Sequence, residues 1–336
     1  MEPEDDDEDA DTTDSGEIDS SKEAGSLSEE DEALKRESKN GGVPVDENAG
    51  TDTAGGTAAG DAAGEDTNTG DGGDTSSETT TSASSSSGTK GMTLSYPHID
   101  PSGLDNTAIP WGPGVQKDEL NRPIASLSYQ QEYKDYNVDF IVPTEDKVLY
   151  LTFDEGYENG CSGRILDTLR SHNAQGVFFV TKSYAESCPD LVRRMIDEGH
   201  VVGNHTVHHP SDGMQAHDID YQTNEVMELH NYIKDTFGYE MCLFRYPTGM
   251  FSKQSLAVVS NCGYRSSFWS FAYADWDRDN QPNPSEALQK LESCLHPGAV
   301  YLLHAVSETN TNILDEFLTY AESQGYTIGH YLDTLQ

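Results

Sequence analysis

Two short stretches of this chain hold residue types that could do chemistry together. In Thr152-Phe153-Asp154-Glu155-Gly156, adjacent carboxylates close the apolar run Val148-Leu149-Tyr150-Leu151. In His205-Thr206-Val207-His208-His209-Pro210, two imidazoles stand four positions apart, just after Val201-Val202-Gly203. Two histidines and one carboxylate are a familiar donor set for a divalent metal. A second carboxylate left outside that set can move a proton, which completes the requirements of metal-assisted hydrolysis. The candidate ligands are therefore His205, His209 and one of the two carboxylates, Asp154 or Glu155, with the other left as the base. A lone histidine beside a proline would be an ordinary loop residue; the carboxylates on the same expected rim argue for the metal. His208 points elsewhere if His205 and His209 share a face.

Such a set works only if the fold brings it together. From about Lys147 onward, strand-like runs alternate with amphipathic segments. The expected strands are Val148–Phe153, Val177–Val180, His200–Asn204, Leu243–Arg245, Arg265–Trp269, Ala299–Leu303 and Tyr326–Gly329. The expected helices are Ser162–Ser171, Pro189–Glu198, Ile219–Phe237, Lys253–Asn261, Ser285–Cys294 and Asn310–Gln324. Ser162 and Asp218 suit N-caps, and Gly199, Gly238, Gly263 and Gly325 fall where helices should stop. This alternation predicts an α/β fold with a parallel sheet, closed or nearly closed into one barrel. In such barrels the chemistry sits at the carboxyl ends of the strands. Asp154, Glu155, His205, His209, Arg245, Asp275 and His304 all fall at those ends, so one rim should carry one active site.

Roles follow from that placement. Arg245 offers Asp154 a charge partner that would hold it ionised as a general base. Asp275 could keep the His304 imidazolium populated, making His304 a general acid for a leaving group. Trp276, Leu302 and Trp269 could wall a small apolar pocket, although aromatics here are more often plain core. No G-x-S-x-G elbow, phosphate-binding loop or G-x-G-x-x-G competes. A paired-carboxylate glycosidase is disfavoured because the side chains of Asp154 and Glu155 diverge on a strand.

Composition limits the partners. The 336 residues carry a formal net charge of −40. Residues 1–90 hold 26 acidic and 5 basic residues among Ser, Thr, Gly and Ala, and read as a disordered acidic tail. The rest is acidic too, so no basic face is available for nucleic acid. Residues 91–142 read as an extension packing on the barrel, and 143–336 as the catalytic domain. No apolar h-region follows Met1 and no run of 18 apolar residues exists. The acidic start suits a chain trimmed after an export signal or anchor, at the exterior or envelope of a bacterium; a cytoplasmic protein with an acidic tail fits the same letters. Cys161, Cys188, Cys242, Cys262 and Cys294 form no CxxC or Cys/His cluster, and buried thiols are expected.

Read in order, five motifs resemble the polysaccharide deacetylase family, carbohydrate esterase family 4 with its NodB-type domain. They are Thr152-Phe153-Asp154-Glu155-Gly156, His205-Thr206-Val207-His208-His209-Pro210, Arg245-Tyr246-Pro247-Thr248, Asp275-Trp276 and Leu302-Leu303-His304. Gly156-Tyr157-Glu158-Asn159-Gly160, Phe268-Trp269-Ser270, Leu303-His304-Ala305-Val306-Ser307 and Ile109-Pro110-Trp111-Gly112 resemble its PdaA-like muramic δ-lactam N-deacetylase subgroup. The resemblance implies a distorted (β/α)7 barrel that removes N-acetyl groups from peptidoglycan amino sugars, acting as a monomer on glycan strands. It implies a divalent ion, Zn²⁺ first, with Co²⁺, Mn²⁺ or Mg²⁺ as alternatives. It makes Asp154 the base and His205 and His209 ligands, which leaves Glu155 as the carboxylate expected at the metal. The Thr248 amide would join an oxyanion hole. Arg245 would tune Asp154, Asp275 would tune His304, and His304 would protonate the departing amine. Trp276 and Leu302 would line the acetyl-methyl pocket. Two positions depart from the pattern: Glu155 stands where the family has Asp and the subgroup Asn, and Tyr246 stands where proline is common. N-acetylglucosamine or chito-oligosaccharide deacetylation is the alternative activity. A non-catalytic wall-binding module on a tether is the alternative of another class.

Overall fold

The computed structural model describes residues 91–335; the expected acidic tail, 1–90, lies outside the described residues. The strands are β1 (Ile109–Pro110), β2 (Val138–Asp139), β3 (Val148–Glu155), β4 (Gly176–Val180), β5 (Val201–Asn204), β6 (Leu243–Phe244), β7 (Met250–Phe251), β8 (Arg265–Ser267), β9 (Ala299–His304) and β10 (Thr327–Ile328). The helices are α1 (Ile124–Glu132), α2 (Ser162–Ser171), α3 (Lys182–Ser187), α4 (Pro189–Asp197), α5 (Ile219–Phe237), α6 (Lys253–Asn261), α7 (Pro284–Ser293) and α8 (Glu308–Ser323).

Eight strands form one sheet in the order β10-β3-β4-β5-β6-β8-β2, with β9 also paired to β3. Every pairing in it is parallel. Beyond β8 the chain swings across to β9: Phe271 bridges Tyr301, and the Leu302 amide donates to the Phe271 carbonyl at 2.8 Å. The ring of strands therefore closes, giving the expected distorted barrel. All seven expected strands are present. β2 is an addition from the segment read as an extension, because its two residues take up the free edge of β8.

Helix boundaries follow their local chemistry. Asp218 caps α5 by accepting from the Tyr221 amide, and Gly238 ends it in the left-handed region at φ 68°. Ser162 is instead the first residue of α2, after Cys161, and its hydroxyl is used elsewhere. The short α3, capped by the Thr181 hydroxyl, was not legible in the apolar pattern.

Both faces of the sheet are buried, and the alternation along β3 separates them. Leu149, Leu151 and Phe153 join the large core between strands and helices. Tyr150 faces inward with Val177, Phe179, Val201, Leu243, Val300 and Tyr331. Gly203 on β5 is required by this packing: a Cβ there would lie 2.4 Å from the Phe179 ring. The five cysteines are all free.

His200 and His296 are each 1% exposed, and burial pushes both imidazoles down to about 4. Their folded pKa lies below the unfolded value, so between pH 6.5 and 4 the unfolded chain binds the extra protons. Their contribution to stability is complete above 6.5 and is lost as pH falls towards 4. The urea midpoint should drop across that window, and drop less steeply in a His200→Gln/His296→Gln double variant. An identical slope in the variant would remove these histidines from the account.

Candidate active site

The site is assembled where the inward face of the barrel reaches its carboxyl rim. Thr152 and Asp154 continue the inward set of β3, and Asp154 lies in register with His304 at the end of β9. Arg245 follows β6 immediately, is fully buried and meets this face of β3. Its Nη1 lies 3.4 Å from Asp154 Oδ1, and its Nη2 donates to Thr152 Oγ1 at 2.9 Å. Its Nε donates to the Ser267 carbonyl at 2.5 Å. The guanidinium also lies over the Phe179 ring, 4.5 Å from its centroid, the contact that Gly203 makes room for. Burial lifts the Asp154 carboxyl above its ordinary range, against the opposing pull of Arg245, His304 and His209. Arg245 therefore moderates the proton affinity of this base without setting its direction.

The histidine loop follows β5. His205 Nδ1 sits 3.0 Å from the Arg245 carbonyl, which can only accept, so the proton resides on Nδ1. Nε2 is left with a lone pair, 3.6 Å from Asp154 Oδ2. The His209 ring lies 4.7 Å from the His205 ring. Burial holds His205 neutral, down to about 3, and lowers His209 likewise. Two neutral imidazoles beside an ionisable carboxylate fit a divalent ion of borderline softness.

Glu155 is not brought to this pair. It follows the outward set of β3, and its Oε2 meets Ser162 Oγ of α2 at 3.3 Å while Oε1 is buried without a partner. Ser162 also bonds the Glu158 carboxylate, and Tyr184 of α3 reaches Ser162 Oγ at 3.1 Å. Burial and the neighbouring Glu158 carboxylate push Glu155 well above the usual range. Adjacent residues on a strand cannot both face the barrel axis, and Asp154 takes that face. Among the described residues no group of three or more His, Cys, Asp or Glu is placed to hold a metal.

Across the rim, Asp275 is wholly buried and accepts from the His304 amide at 2.8 Å and from His304 Nδ1 at 2.7 Å. Trp276 is half-buried with its ring 6.0 Å from that of His304, and buried Leu302 faces inward one step below. Thr248 occupies a tight turn at φ 59°. That turn is held by the extension, since β1 pairs with β7 and the Trp111 amide donates to the Gly249 carbonyl at 3.1 Å. Apart from three asparagines, the non-glycine residues with positive φ among those described are Thr206, His209 and Thr248. All three lie in this site, where a fixed loop shape is worth local strain.

Several supporting residues escaped the sequence reading. Glu225 of α5 accepts from the Val207 and His208 amides at 3.0 and 2.9 Å and from the His208 ring, which fixes the histidine loop. The available signal was a Glu on the buried stripe Gln222, Glu225, Val226, Leu229, Ile233. Asn310 of α8 donates to Asp275, and Tyr273 bonds Asn310 in turn.

The sequence profile of the family described as "Polysaccharide deacetylase" matches residues 141–267. Over 227 residues the chain is 37% identical to the peptidoglycan-N-acetylmuramic acid deacetylase PdaA of Bacillus subtilis, covering 67% of this chain and 84% of that protein. The chain belongs to the polysaccharide deacetylase family. The solved structure of B. subtilis PdaA, a family 4 carbohydrate esterase, matches with a TM-score of 0.65 and 35% identity, covering 69% of this chain and 98% of that one. A chitooligosaccharide deacetylase of Rhizobium leguminosarum is 34% identical over 161 residues, 48% of this chain and 73% of that protein. This polysaccharide deacetylase is thus a hydrolase of amide bonds in carbohydrate esterase family 4, whose deacetylases are metal-dependent.

The outward position of Glu155 carries a test. Glu155→Gln should leave the dissociation constant for Zn²⁺ within about threefold by calorimetry, whereas His209→Ala should weaken it by roughly a hundredfold or more. A large loss in Glu155→Gln would return that residue to the ligand set. Separately, Glu225→Ala should weaken the same affinity by about tenfold, because it frees the loop without touching a ligand; an unchanged constant would show that the loop holds its shape without it.

Proposed function

We propose that this deacetylase removes the acetyl group from N-acetylmuramic acid in peptidoglycan, as a monomer at the exterior or envelope of a bacterium. The observation that carries the substrate is the likeness to PdaA, which covers 67% of this chain and 84% of that protein in sequence and 98% of its solved chain in structure. The chemistry rests on the rim: a raised, buried carboxylate facing two neutral imidazoles, with an Asp-supported histidine opposite.

His205 and His209 would hold the metal, and Zn²⁺ suits their nitrogen donors best. When bound, the ion supplies Lewis-acid polarisation of the acyl oxygen and of water. Asp154 takes the proton from the water that adds to the acetyl carbon. The Thr248 amide offers a donor to the oxygen on which charge develops. Asp275 holds Nδ1 of His304, which directs the other ring nitrogen to the leaving group. His304 gives its proton to the amine as the carbon–nitrogen bond breaks, leaving acetate and a free amino sugar. Trp276 and Leu302 bound the space for the methyl group. Glu155 has no part in these steps.

Purified chain loaded with Zn²⁺ should release acetate from peptidoglycan stripped of stem peptides, and mass spectrometry of the digested glycan should show the loss on muramic acid units. Loss on glucosamine units instead would favour the chito-oligosaccharide alternative. Absence of acetate from both polymers would refute deacetylation. Asp154→Asn and His304→Ala should each lower kcat by at least about a hundredfold.

A further inference from the structure

Arg245 is held from below as well as from the rim. The Ser267 carbonyl that accepts from its Nε belongs to a residue whose own hydroxyl donates to the Tyr331 hydroxyl at 3.0 Å. Tyr331 lies in the C-terminal turn Tyr331–Leu335 and is 1% exposed, so its hydroxyl stands inside the barrel. It donates onward to Asp139 Oδ2 at 3.3 Å. Asp139, also buried, is gripped by two nitrogens of Arg265, each at 2.5 Å. Asp139 and Arg265 border a cavity of about 360 Å³ at the end of the barrel away from the catalytic rim. A continuous line of hydrogen bonds therefore runs from Arg265 through Asp139, Tyr331 and Ser267 to Arg245 and Asp154.

We propose that Tyr331 is a positioning residue for deacetylation, acting through Ser267 and Arg245 on the orientation of Asp154. A buried guanidinium has no water to bind, so its direction is set by the acceptors that surround it. Three are available: Asp154, Thr152 and the Ser267 carbonyl. Thr152 is fixed from behind, because its hydroxyl donates to the Tyr301 carbonyl at 2.7 Å. Ser267 ends β8, in register with Asp139 of β2 on one side, while β6 on the other side stops one residue short of it. The Tyr331 hydroxyl supplies the second constraint at that strand end. The proposal rests on deacetylation at the rim and is independent of which amino sugar is the substrate.

The test uses the full metal-loaded chain and acetate release from whichever polymer the wild type deacetylates. Tyr331→Phe removes the hydroxyl and keeps the ring against Tyr150, 5.3 Å away. It should lower kcat about fivefold, with KM and the metal dissociation constant within about twofold of wild type. Ser267→Ala, which keeps the carbonyl, should do the same, and the double variant should fall no further than either single one. In an Arg245→Lys background, where the guanidinium is gone, Tyr331→Phe should have no added effect. Unchanged kcat in both single variants would overturn the proposal. So would an equal fold-loss in the Arg245→Lys background, since that marks a general structural weakening. If Tyr331→Phe does not fold, Ser267→Ala in the two backgrounds decides by the same criteria. A wild type that releases no acetate would overturn this role together with the deacetylase reading; active but unaltered variants would overturn this role alone.

Discussion

Arg245 places a full positive charge where no solvent reaches, inside a ring of parallel strands. Removing one partner from such a charge typically costs about 3–5 kcal/mol, so each neighbour is constrained by it. Asp154 faces it from β3, Thr152 supports it one step below, Ser267 meets it from β8, and Phe179 lies beneath its plane. Its backbone carbonyl is used as well, because it fixes the tautomer of His205. One residue thus sets the position of the base with its side chain and the lone pair of a metal-binding imidazole with its main chain. Base and ligand cannot drift apart without breaking that residue's own contacts.

Burial on the rim works in both directions. It raises the affinity of Asp154 for protons and lowers that of His205 and His209, which suits a base and a pair of metal ligands respectively. The strained loops that carry these groups are braced by polar residues from the helical layer. Glu225 receives two amides of the histidine loop, and Asn310 closes the network under Asp275 and His304. The extension contributes in the same way, since β1 and Trp111 hold the turn that presents Thr248. The helices and the extension therefore serve the site by satisfying backbone groups that bent loops would otherwise leave unpaired.

Glu155 shows how one residue can mislead a reading by type and spacing. A carboxylate next to Asp154 is available to the metal by residue type and spacing, yet neighbours on an extended strand point to opposite faces. The inward face belongs to Asp154, which leaves Glu155 between β3 and α2 with Ser162. The expected ligand set shrinks to two histidines, and the outward carboxylate becomes part of the packing around Ser162, Glu158 and Tyr184.

The order of strands and helices was legible from the chain because burial on both faces of a parallel sheet demands short apolar runs, and glycines mark the helix ends. The rim was legible too: Asp154 and His304 lie at the ends of strands, His205, Arg245 and Asp275 come after strands, and a closed parallel barrel gathers all strand ends on one side. These are local patterns combined with one topological rule, so sequence suffices for them. The facing of Glu155, the addition of β2 to the sheet, and the partnerships of Glu225 with the histidine loop and Tyr331 with Ser267 were not legible. Each joins residues through space by the direction of a side chain or the vacancy of a sheet edge. Chain order carries no record of either, and both were decided only when the barrel closed.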